Sequence, residues 1–318
     1  MTGACVVGVA VPLLDEACYL RAALDSLLSQ DGVELDICVY DAGSTDGTQA
    51  ILADYPVKVV IEPGLGQMAA INRAWQNTKA DFVTWMAGDD RLKPGAFSQL
   101  AQVLRGNPAA GAVHAQADVI DGADGLLARL APGNIQWRDL AFEFTLVPQT
   151  ALIRRTALDR SGMFDEARRF AADHDLFLRL AHHFPLCYAP FVAAEYRVHP
   201  GSEDARHLTH VGQETIGLIQ RFFERPDLTP AQWSQRHRSL AGAHLFAGTC
   251  HVLAGDRRAG WLQLIQAARL HPLAVASTRR GLGLWARLLT PVSLQPYWLR
   301  GLSSRVRNAL HPARGRRV

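Results

Sequence analysis

The sequence lacks the long apolar runs and the paired cysteines that mark several large classes of protein. No run of ~18 apolar residues without charge occurs in the 318 residues, which argues against a transmembrane helix. The five cysteines are odd in number and irregularly spaced, so they predict neither a disulfide framework nor a CxxC metal site. The first apolar run, Val6–Leu14, has no basic region before it and two acids after it, unlike a secretory signal peptide. We therefore expect a cytoplasmic protein with reduced thiols.

Acidic residues are absent from the last part of the chain. Residues 257–318 hold 12 arginines and neither Asp nor Glu, giving +12, whereas residues 1–256 carry −9. Leucine and tryptophan are interleaved with these arginines, a composition that suits the anionic surface of a membrane. Attraction to nucleic acid and a solubilising tail that leans on the acidic part of the chain are the alternatives. We favour the membrane, which would place the protein peripherally on the inner face of the plasma membrane, and expect no nucleic-acid partner.

The chain does contain enough apolar material for a large core, arranged as alternating strands and helices. Hydrophobic residues make up 48% of the sequence, which excludes a disordered protein. Continuous apolar runs predict strands, and apolar spacings of i, i+3, i+4 and i+7 between them predict helices. Such alternation predicts an α/β fold with a mostly parallel central sheet and helices on both faces. The predicted strands are Val6–Val11, Leu35–Tyr40, Val57–Ile61 and Phe82–Met86.

A change of pattern divides the chain into two predicted domains. Residues 1–206 are expected to form the α/β domain, and residues 207–318 a helical, arginine-rich extension. Within the extension, His237–Leu253 and Ala259–Leu270 are predicted helices separated at Gly255 and Asp256. A helical hairpin is therefore expected there.

Polar residues follow each of the four predicted strands. Pro12, Asp41, Glu62 and the pair Asp89-Asp90 all fall at carboxyl ends, where α/β sheets place their binding clefts. Adjacent carboxylates repel each other unless a cation or a donor-rich ligand lies between them. Mg²⁺ or Mn²⁺ bound to a diphosphate would satisfy the pair. The alternative is an Asp-Asp turn ahead of a helix that starts near Pro94.

Five motifs follow one another along the chain. They lie at Val9–Glu16 with Ala23–Gln30, at Tyr40–Thr48, at Gly88–Asp90, at Gly162–Glu166 with Ala172–Leu180, and at Tyr196–His199. Together they resemble the motifs of family 2 glycosyltransferases, which have the Rossmann-like GT-A fold. The resemblance covers about residues 5–205, and the ordered set is far more specific than any one motif. Gly88-Asp89-Asp90 is similar to the DXD-type metal motif of that family, and the segments at Gly162–Glu166 and Ala172–Leu180 are similar to its acceptor side.

The resemblance implies a nucleotide-sugar site at the strand ends. Asp41 would accept a hydrogen bond from the nucleobase, Asp89 would hold the ribose, and Asp90 would ligate Mn²⁺ or Mg²⁺. A turn-capping role is the alternative for Asp41, and His199 is equally a third metal ligand or a surface histidine. Arg197 and Arg206 would reach diphosphate oxygens, although solvated charge is the commoner fate of arginine. The full set of implied nucleotide-binding residues is Pro12, Leu14, Asp15, Asp41, Ser44, Gly66, Asn72 and Asp89.

The acceptor side depends on one proposed base. Family members invert the anomeric centre by direct displacement, and Asp173 matches the position of the residue that takes the acceptor proton. Ala172 stands where the family more often has Glu, and Asp15 where it usually has Asn. Asp175 is expected to cap its helix and to pair with Arg179, and Asp46 to cap another helix.

These features predict a metal-dependent, inverting glycosyltransferase of cell-surface polysaccharide, O-antigen or glycolipid assembly. The donor would be a UDP-, GDP- or dTDP-sugar, and the acceptor a glycan or a lipid-linked glycan. A non-catalytic nucleotide-sugar-binding or scaffold protein of the same fold is the alternative, favoured by Ala172. Nucleotidyl transfer is discounted because the stretch from Pro12 to Asp15 has none of the glycines and basic residues of a phosphate loop.

Overall fold

Nine strands between Val6 and Val198 form one sheet in the computed structural model, which describes residues 5–199 and 207–289. The chain divides into two compact units. The first comprises Met1–Gln136 and Leu146–Arg197, and the second Trp137–Thr145 and Val198–Val318. The short segment 137–145, which the sequence assigned to the α/β domain, thus groups with the helical unit. The predicted domain boundary at residue 206 lies among residues that the structure does not describe.

The sheet of the first unit is parallel on one side and antiparallel on the other. The strands are β1 (Val6–Leu13), β2 (Glu34–Asp41), β3 (Lys58–Ile61), β4 (Phe82–Trp85), β5 (Arg91–Leu92), β6 (Ala112–Asp121), β7 (Leu126–Leu130), β8 (Leu152–Arg154) and β9 (Leu186–Val198). Their order in the sheet is β3-β2-β1-β4-β8-β6-β9-β5, with β7 paired to β6. Strands β3, β2, β1 and β4 run parallel, whereas β8 pairs antiparallel with both β4 and β6.

The predicted α/β fold is confirmed, with a sheet that is mixed rather than mostly parallel. All four strands predicted from apolar runs are present and parallel, because a helix crosses over between each strand and the next. After β4 the crossovers stop, and the hairpin of β6 and β7 supplies antiparallel pairing instead. The helices of this unit are α1 (Leu20–Leu28), α2 (Thr48–Leu52), α3 (Gln67–Gln76), α4 (Ala96–Gly106), α6 (Arg155–Ser161) and α7 (Ala172–His183); α5 (Trp137–Phe142) belongs to the second unit.

One large hydrophobic cluster of the first unit is built on alternate residues of β1. Val7, Val9 and Val11 alternate along β1, so their side chains point to the same face and are fully buried. The apolar stripe of α1 packs there, with Leu20 and Leu24 also fully buried.

The second unit is helical, and the predicted helical hairpin is present. Two helices, α10 (Arg236–Leu253) and α11 (Arg257–Leu270), are separated by residues 254–256. Asp256 caps α11, because its carboxylate accepts a hydrogen bond from the Ala259 amide at 2.9 Å. Among the described residues, no helix combines the length and apolarity needed to cross a membrane. The remaining helices are α8 (Leu208–Phe222), α9 (Pro230–Trp233), α12 (Pro272–Ser277) and α13 (Arg279–Leu289).

Candidate active site

The loops that follow β1 and β2 are tied together by side-chain hydrogen bonds. The Asp15 amide donates to Ser44 Oγ at 2.8 Å, and Asp15 Oδ1 accepts from the Thr45 amide at 2.8 Å. Ser44 Oγ in turn donates to Asp41 Oδ1 at 2.5 Å. Leu13 and Asp41 pair across the two strands, so these loops leave the sheet side by side. Sequence reasoning brought Asp15, Asp41 and Ser44 to one site, and the structure joins them in one hydrogen-bonded chain.

Asp41 is a buried carboxylate whose two oxygens both accept protein hydrogen bonds. Its exposed fraction is 1%. Oδ1 accepts from the amide and hydroxyl of Ser44, and Oδ2 accepts from Gln49 Nε2 at 2.7 Å. The turn-capping alternative considered for Asp41 is therefore present in the structure, and any contact with a nucleobase would be additional to it.

Asp46 has the structural role expected of it, although not as the N-cap residue itself. Gly47 occupies the N-cap of α2 with a φ of +103°, a conformation that favours glycine. Asp46 accepts from the amide of Thr48 at 3.0 Å and from the amide of Ala17 at 2.9 Å. It thereby fixes the start of α2 to the loop after β1.

The turn that carries Asp89 and Asp90 follows β4 and lies against the loop after β1. A side chain at Gly88 would collide with Leu13 and Glu16, so only glycine lets the two loops approach so closely. Because β1 lies between β2 and β4 in the sheet, the loops after these three parallel strands are neighbours. The predicted cluster of polar residues at adjacent carboxyl ends is thus present.

Asp90 is as buried as Asp41, with an exposed fraction of 1%, but its hydrogen bonding is incomplete. Oδ1 accepts from the main-chain amide of Arg197 at 2.9 Å. Oδ2 is buried and has no hydrogen-bond partner within residues 5–199 and 207–289. Burial, and after it the charge of Asp89, raises the pKa of Asp90 well above its usual range, against smaller effects of Arg197 and Gln149. A divalent cation fits this site, because it would occupy the free carboxylate oxygen and offset the buried charge.

Gln149 is a residue of this site that sequence reasoning missed. It lies on the 3₁₀ helix Pro148–Thr150, and its side chain lies close enough to the Asp90 carboxyl to lower the pKa of that group. Its Oε1 is buried and also lacks a hydrogen-bond partner within the described part of the chain. No motif surrounds Gln149, and only the fold brings it to a residue 59 positions earlier in the sequence.

The role expected of Arg197 needs correction. Its side chain has an exposed fraction of 2%, and its guanidinium bonds to protein groups rather than facing a diphosphate. Nε donates to the Asp89 carbonyl at 2.8 Å, and Nη1 donates to the Asp121 carbonyl at 3.0 Å and to Asp124 Oδ1 at 2.6 Å. The guanidinium also lies over the ring of Tyr19, 4.5 Å from its centroid. Arg197 therefore positions the Asp89-Asp90 turn, through its side chain and through its main-chain amide.

Asn72 also differs from its expected nucleotide-binding role. It is buried on α3, where Nδ2 donates to the Phe164 carbonyl at 3.0 Å and to Glu166, and Oδ1 accepts from the Phe164 amide at 3.0 Å. Its amide is thus used to hold the segment ahead of α7. Gly66, exposed at the N-cap of α3, and Leu14, 56% exposed after β1, are accessible to a ligand, whereas Pro12 is buried within β1.

The proposed base, Asp173, lies in the first turn of α7 and is partly exposed. Its Oδ1 accepts from the amide of His174 at 2.7 Å. The predicted ion pair of Asp175 and Arg179 is confirmed at 2.9 Å, but Asp175 is not the helix cap, because Ala171 occupies that position. Arg179 also donates to the carbonyls of residues 161–163, which fixes the loop after α6 to α7.

Aromatic packing connects α7 to the strand that ends at the acidic turn. The ring of Phe177, one helical turn after Asp173, lies 6.1 Å from that of Trp85, the last residue of β4. Phe164 packs on the same tryptophan at 5.0 Å. The segment bearing Asp173 is therefore anchored to β4. Of the other expected residues, His199 follows β9 directly, and Arg206 lies outside the described residues.

Comparison with known proteins identifies the domain that carries this site. The model of the family described as glycosyl transferase family 2 matches residues 8–160. This chain contains a family 2 glycosyltransferase domain. The match includes both loops around Asp41 and the Asp89-Asp90 turn, and it ends before the segment that bears Asp173.

Relatives of the family 2 domain share it at low identity. An uncharacterized glycosyltransferase of Rickettsia typhi is 25% identical over 206 residues, which are 61% of this chain and 64% of that protein. The chondroitin synthase of Pasteurella multocida is 24% identical over 185 residues, 55% of this chain and 19% of the synthase. The chain thus matches less than two thirds of the length of either relative.

Solved structures confirm the GT-A fold of the family 2 domain. Staphylococcus aureus TarS has a TM-score of 0.64 at 17% identity, with 96% of this chain and 55% of TarS covered. The mannosyltransferase PcManGT of Pyrobaculum calidifontis, in complex with GDP-Man and Mn²⁺, has a TM-score of 0.60 at 18% identity, with 96% and 85% covered. A structure of TarS residues 1–349 holds UDP, at a TM-score of 0.63 and 16% identity, with 98% of this chain and 93% of that chain covered.

Proposed function

We propose that the protein is an inverting, metal-dependent glycosyltransferase that moves a sugar from a nucleoside-diphosphate donor to a hydroxyl acceptor. The observation that carries this proposal is the buried Asp90 carboxylate, whose Oδ2 has no partner within the described residues. A buried, incompletely bonded charge destabilises the folded state, so its presence near the carboxyl ends of the parallel strands indicates a ligand. Cell-surface polysaccharide, O-antigen or glycolipid assembly is the process we propose for it.

Asp90 is the residue we assign to the metal, with Asp89 beside it and the Gln149 oxygen as a further candidate. Both acids belong to the turn held by Arg197, which keeps them in place before the donor arrives. Bound Mn²⁺ or Mg²⁺ would act as a Lewis acid that stabilises the charge on the departing diphosphate. The Mn²⁺ in the mannosyltransferase complex supports this choice of cation. His199 remains a proposal for a third ligand.

The loops after β1 and β2 are proposed to hold the nucleoside. Their interlocked hydrogen bonds give a rigid surface beside the metal turn, and Leu14 presents an exposed apolar side chain there. UDP, UDP-GlcNAc and GDP-Man are bound in structures of similar fold, which supports a UDP- or GDP-sugar donor, with dTDP-sugars as a further class. We expect Asp15, Asp41 and Ser44 to shape this surface.

Asp173 is the proposed general base. In the proposed reaction the acceptor oxygen attacks the anomeric carbon while the bond from that carbon to the diphosphate breaks, which inverts the configuration. The hydroxyl proton passes to the Asp173 carboxylate, and the leaving electrons remain on the nucleoside diphosphate. A partly exposed carboxylate in the first turn of a helix is accessible to an acceptor glycan or a lipid-linked glycan, the two acceptor classes proposed.

A panel of nucleotide sugars tests this function. UDP-, GDP- and dTDP-sugars are incubated with the protein with and without Mn²⁺, and released nucleoside diphosphate is measured together with the thermal shift of the protein. We expect one donor class to raise the melting temperature and to be turned over only with the metal. Asp159→Asn, which changes an exposed carboxylate on α6, is the matched control for Asp90→Asn. Equal metal-dependent turnover by the two variants would contradict the assignment of Asp90.

The second candidate function is a non-catalytic nucleotide-sugar-binding or scaffold protein. Ala172 favours it, because it replaces an acid beside the proposed base and is itself 1% exposed at the start of α7. Such a protein would show the donor-dependent thermal shift without release of nucleoside diphosphate. Turnover that persists unchanged in Asp173→Asn would instead mean that another residue is the base.

A further inference from the structure

Helix α11 exposes a stripe of apolar residues bounded by arginines. Arg258, Leu262, Ile265 and Arg269 follow one another at spacings of four, three and four residues, so they lie on one face of the helix. All four are exposed, with fractions of 58% for Leu262 and 44% for Ile265. The opposite face is apolar as well, since Leu264 and Ala267 are buried in the core of the helical unit. The exposed leucine and isoleucine are therefore additional to what the core requires.

Helix α13 repeats this arrangement. Arg279, Leu282, Trp285 and Leu289 follow at spacings of three, three and four residues, again on one face. The exposed fractions are 54% for Leu282, 37% for Trp285 and 64% for Leu289. The two stripes border each other, because the ring of Trp261 on α11 lies 5.4 Å from that of Trp285. We call these eight exposed residues of α11 and α13 the basic apolar face.

The arginines of this face differ from those nearby that serve the fold. Arg257 donates to the carbonyl of Arg287 at 3.0 Å, and Arg280 pairs with Glu143 at 2.7 Å. Arg258, Arg269 and Arg279 form no ion pair or hydrogen bond through their guanidinium groups with any described residue. No acid occurs between residues 257 and 289, and Asp256 caps the end of α11. The face thus combines free positive charge with exposed apolar side chains.

We propose that the basic apolar face binds the surface of an anionic phospholipid bilayer. Leucine, isoleucine and tryptophan would enter the boundary between headgroups and acyl chains, while the long arginine side chains reach the phosphates. Trp285 suits this depth, since tryptophan concentrates at the interface of membranes with water. A helix that lies in the surface plane needs no membrane-spanning length. The charge of +12 in residues 257–318 supports an anionic surface over an interface between identical positive faces.

Vesicle binding by the full-length protein tests this proposal. The probes are vesicles of phosphatidylcholine alone and of phosphatidylcholine with about one third phosphatidylglycerol, in flotation assays at low and high salt. We expect binding to the anionic vesicles only, with loss at high salt. Arg258→Gln, Arg269→Gln and Arg279→Gln together should weaken it about 100-fold, or about five-fold per arginine. Leu262→Gln with Leu282→Gln should weaken it about ten-fold or more.

Matched changes on exposed residues elsewhere are the control. Arg160→Gln on α6 and Leu126→Gln on β7, where Leu126 is 60% exposed, should leave vesicle binding unchanged. Equal binding to neutral and anionic vesicles, or unaltered binding by the triple arginine variant, would overturn the proposal. The proposal would also be overturned if the protein bound no vesicles and formed a dimer that dissociates in the leucine variant. The basic apolar face would then join two copies of the chain. Flotation without donor and turnover without vesicles are measured separately, so this proposal and the proposed function can fail independently.

Discussion

Two carboxylates at the carboxyl ends of parallel strands, Asp41 at the end of β2 and Asp90 in the turn after β4, have the same burial and different surroundings. Both are 1% exposed. Asp41 accepts three hydrogen bonds from Ser44 and Gln49, so its charge is stabilised by the protein alone. Asp90 accepts one from the Arg197 amide, has an acid beside it, and has an oxygen without a partner in the described chain. The difference distinguishes a carboxylate whose oxygens are both bonded by the protein from the carboxylate that we propose as a metal ligand.

The contacts of Arg197 account for the incomplete hydrogen bonding of Asp90. The Arg197 guanidinium is directed to the main chain of Asp89 and to Asp124, and it leaves the Asp90 oxygen free. An arginine paired directly with Asp90 would have neutralised the charge that a metal needs. The fold thus holds the acidic turn in place without satisfying it.

The largest expected effect is on activity and follows from removal of the Asp90 charge. Asp90→Asn keeps the shape of the side chain but removes the charge, so we expect turnover of the nucleotide sugar to fall about 10⁴-fold. Release of nucleoside diphosphate at saturating Mn²⁺ measures this. The metal-free variant should melt no lower than the wild type, because a buried and incompletely bonded charge has been removed. If the variant were both active and less stable, Asp90 would stabilise the fold, as Asp41 does, rather than bind a metal.

Asp173→Asn separates proton transfer from the binding of Mn²⁺ and nucleoside diphosphate. Loss of the base should lower turnover about 10²- to 10³-fold, while the thermal shift caused by Mn²⁺ and nucleoside diphosphate stays at its wild-type size. The two readouts are taken on the same samples. An altered thermal shift would show that Asp173 contributes to the metal turn rather than to proton transfer.

Asp41→Ala tests the structural half of the comparison. Three donors would lose their acceptor: the main-chain amide and the hydroxyl of Ser44, and the side-chain amide of Gln49. We therefore expect the free energy of unfolding to fall by about 1–3 kcal/mol. Denaturant unfolding of the metal-free protein measures it. Asp90→Ala is the matched control. Its free energy of unfolding should fall less, because this substitution also removes a buried charge. A larger loss for Asp90→Ala would reverse the comparison.

Arg197→Lys tests whether the Arg197 guanidinium positions the Asp89-Asp90 turn. Lysine keeps the charge but cannot bond to the Asp89 carbonyl and to Asp124 in the geometry of the guanidinium fork. We expect Mn²⁺ affinity to fall about ten-fold with the free energy of unfolding reduced only modestly. Electron paramagnetic resonance of free Mn²⁺ measures the affinity. Wild-type affinity in this variant would mean that the guanidinium does not shape the metal turn.

The smallest effect is a pH dependence of stability in the metal-free protein. Because burial and Asp89 raise the folded-state pKa of Asp90 above its unfolded value, protonated Asp90 favours the folded state at low pH. That contribution is lost as the pH rises through the folded-state pKa, with a limiting slope of about 1.4 kcal/mol per pH unit. The difference in stability between wild type and Asp90→Asn, followed by denaturant titration across pH, isolates it. A difference that grows in favour of the wild type at higher pH would contradict the sign.

Local pattern in the sequence was sufficient for the parallel half of the sheet and for the place of the site. Apolar runs located β1 to β4, and the acids at the end of β2 and in the turn after β4 located the cluster. The helical hairpin followed from the break at Gly255 and Asp256. These features depend on neighbours within a few residues, which is the range over which periodicity carries information.

What the sequence did not predict depends on contacts between distant residues. The antiparallel half of the sheet arises from pairing of β8 with β4 and β6, which periodicity does not specify. Arg197 and Asn72 were assigned to a ligand because their types suit one, yet each bonds main chain more than 70 residues away. Gln149 lies at the site through tertiary packing alone. Residue type shows what a side chain can bond to, and only the fold shows what it does bond to.

Binding of Mn²⁺ to wild type and Asp90→Asn tests the central claim most directly. Free Mn²⁺ is followed by electron paramagnetic resonance during titration, with UDP, GDP and dTDP all present so that the choice of nucleobase does not decide the outcome. The wild type and the control Asp159→Asn are predicted to bind one ion with equal affinity, and Asp90→Asn to bind it about 100-fold more weakly. Equal Mn²⁺ affinity in all three proteins would contradict the account, because the unpartnered oxygen of Asp90 would then not be a metal ligand.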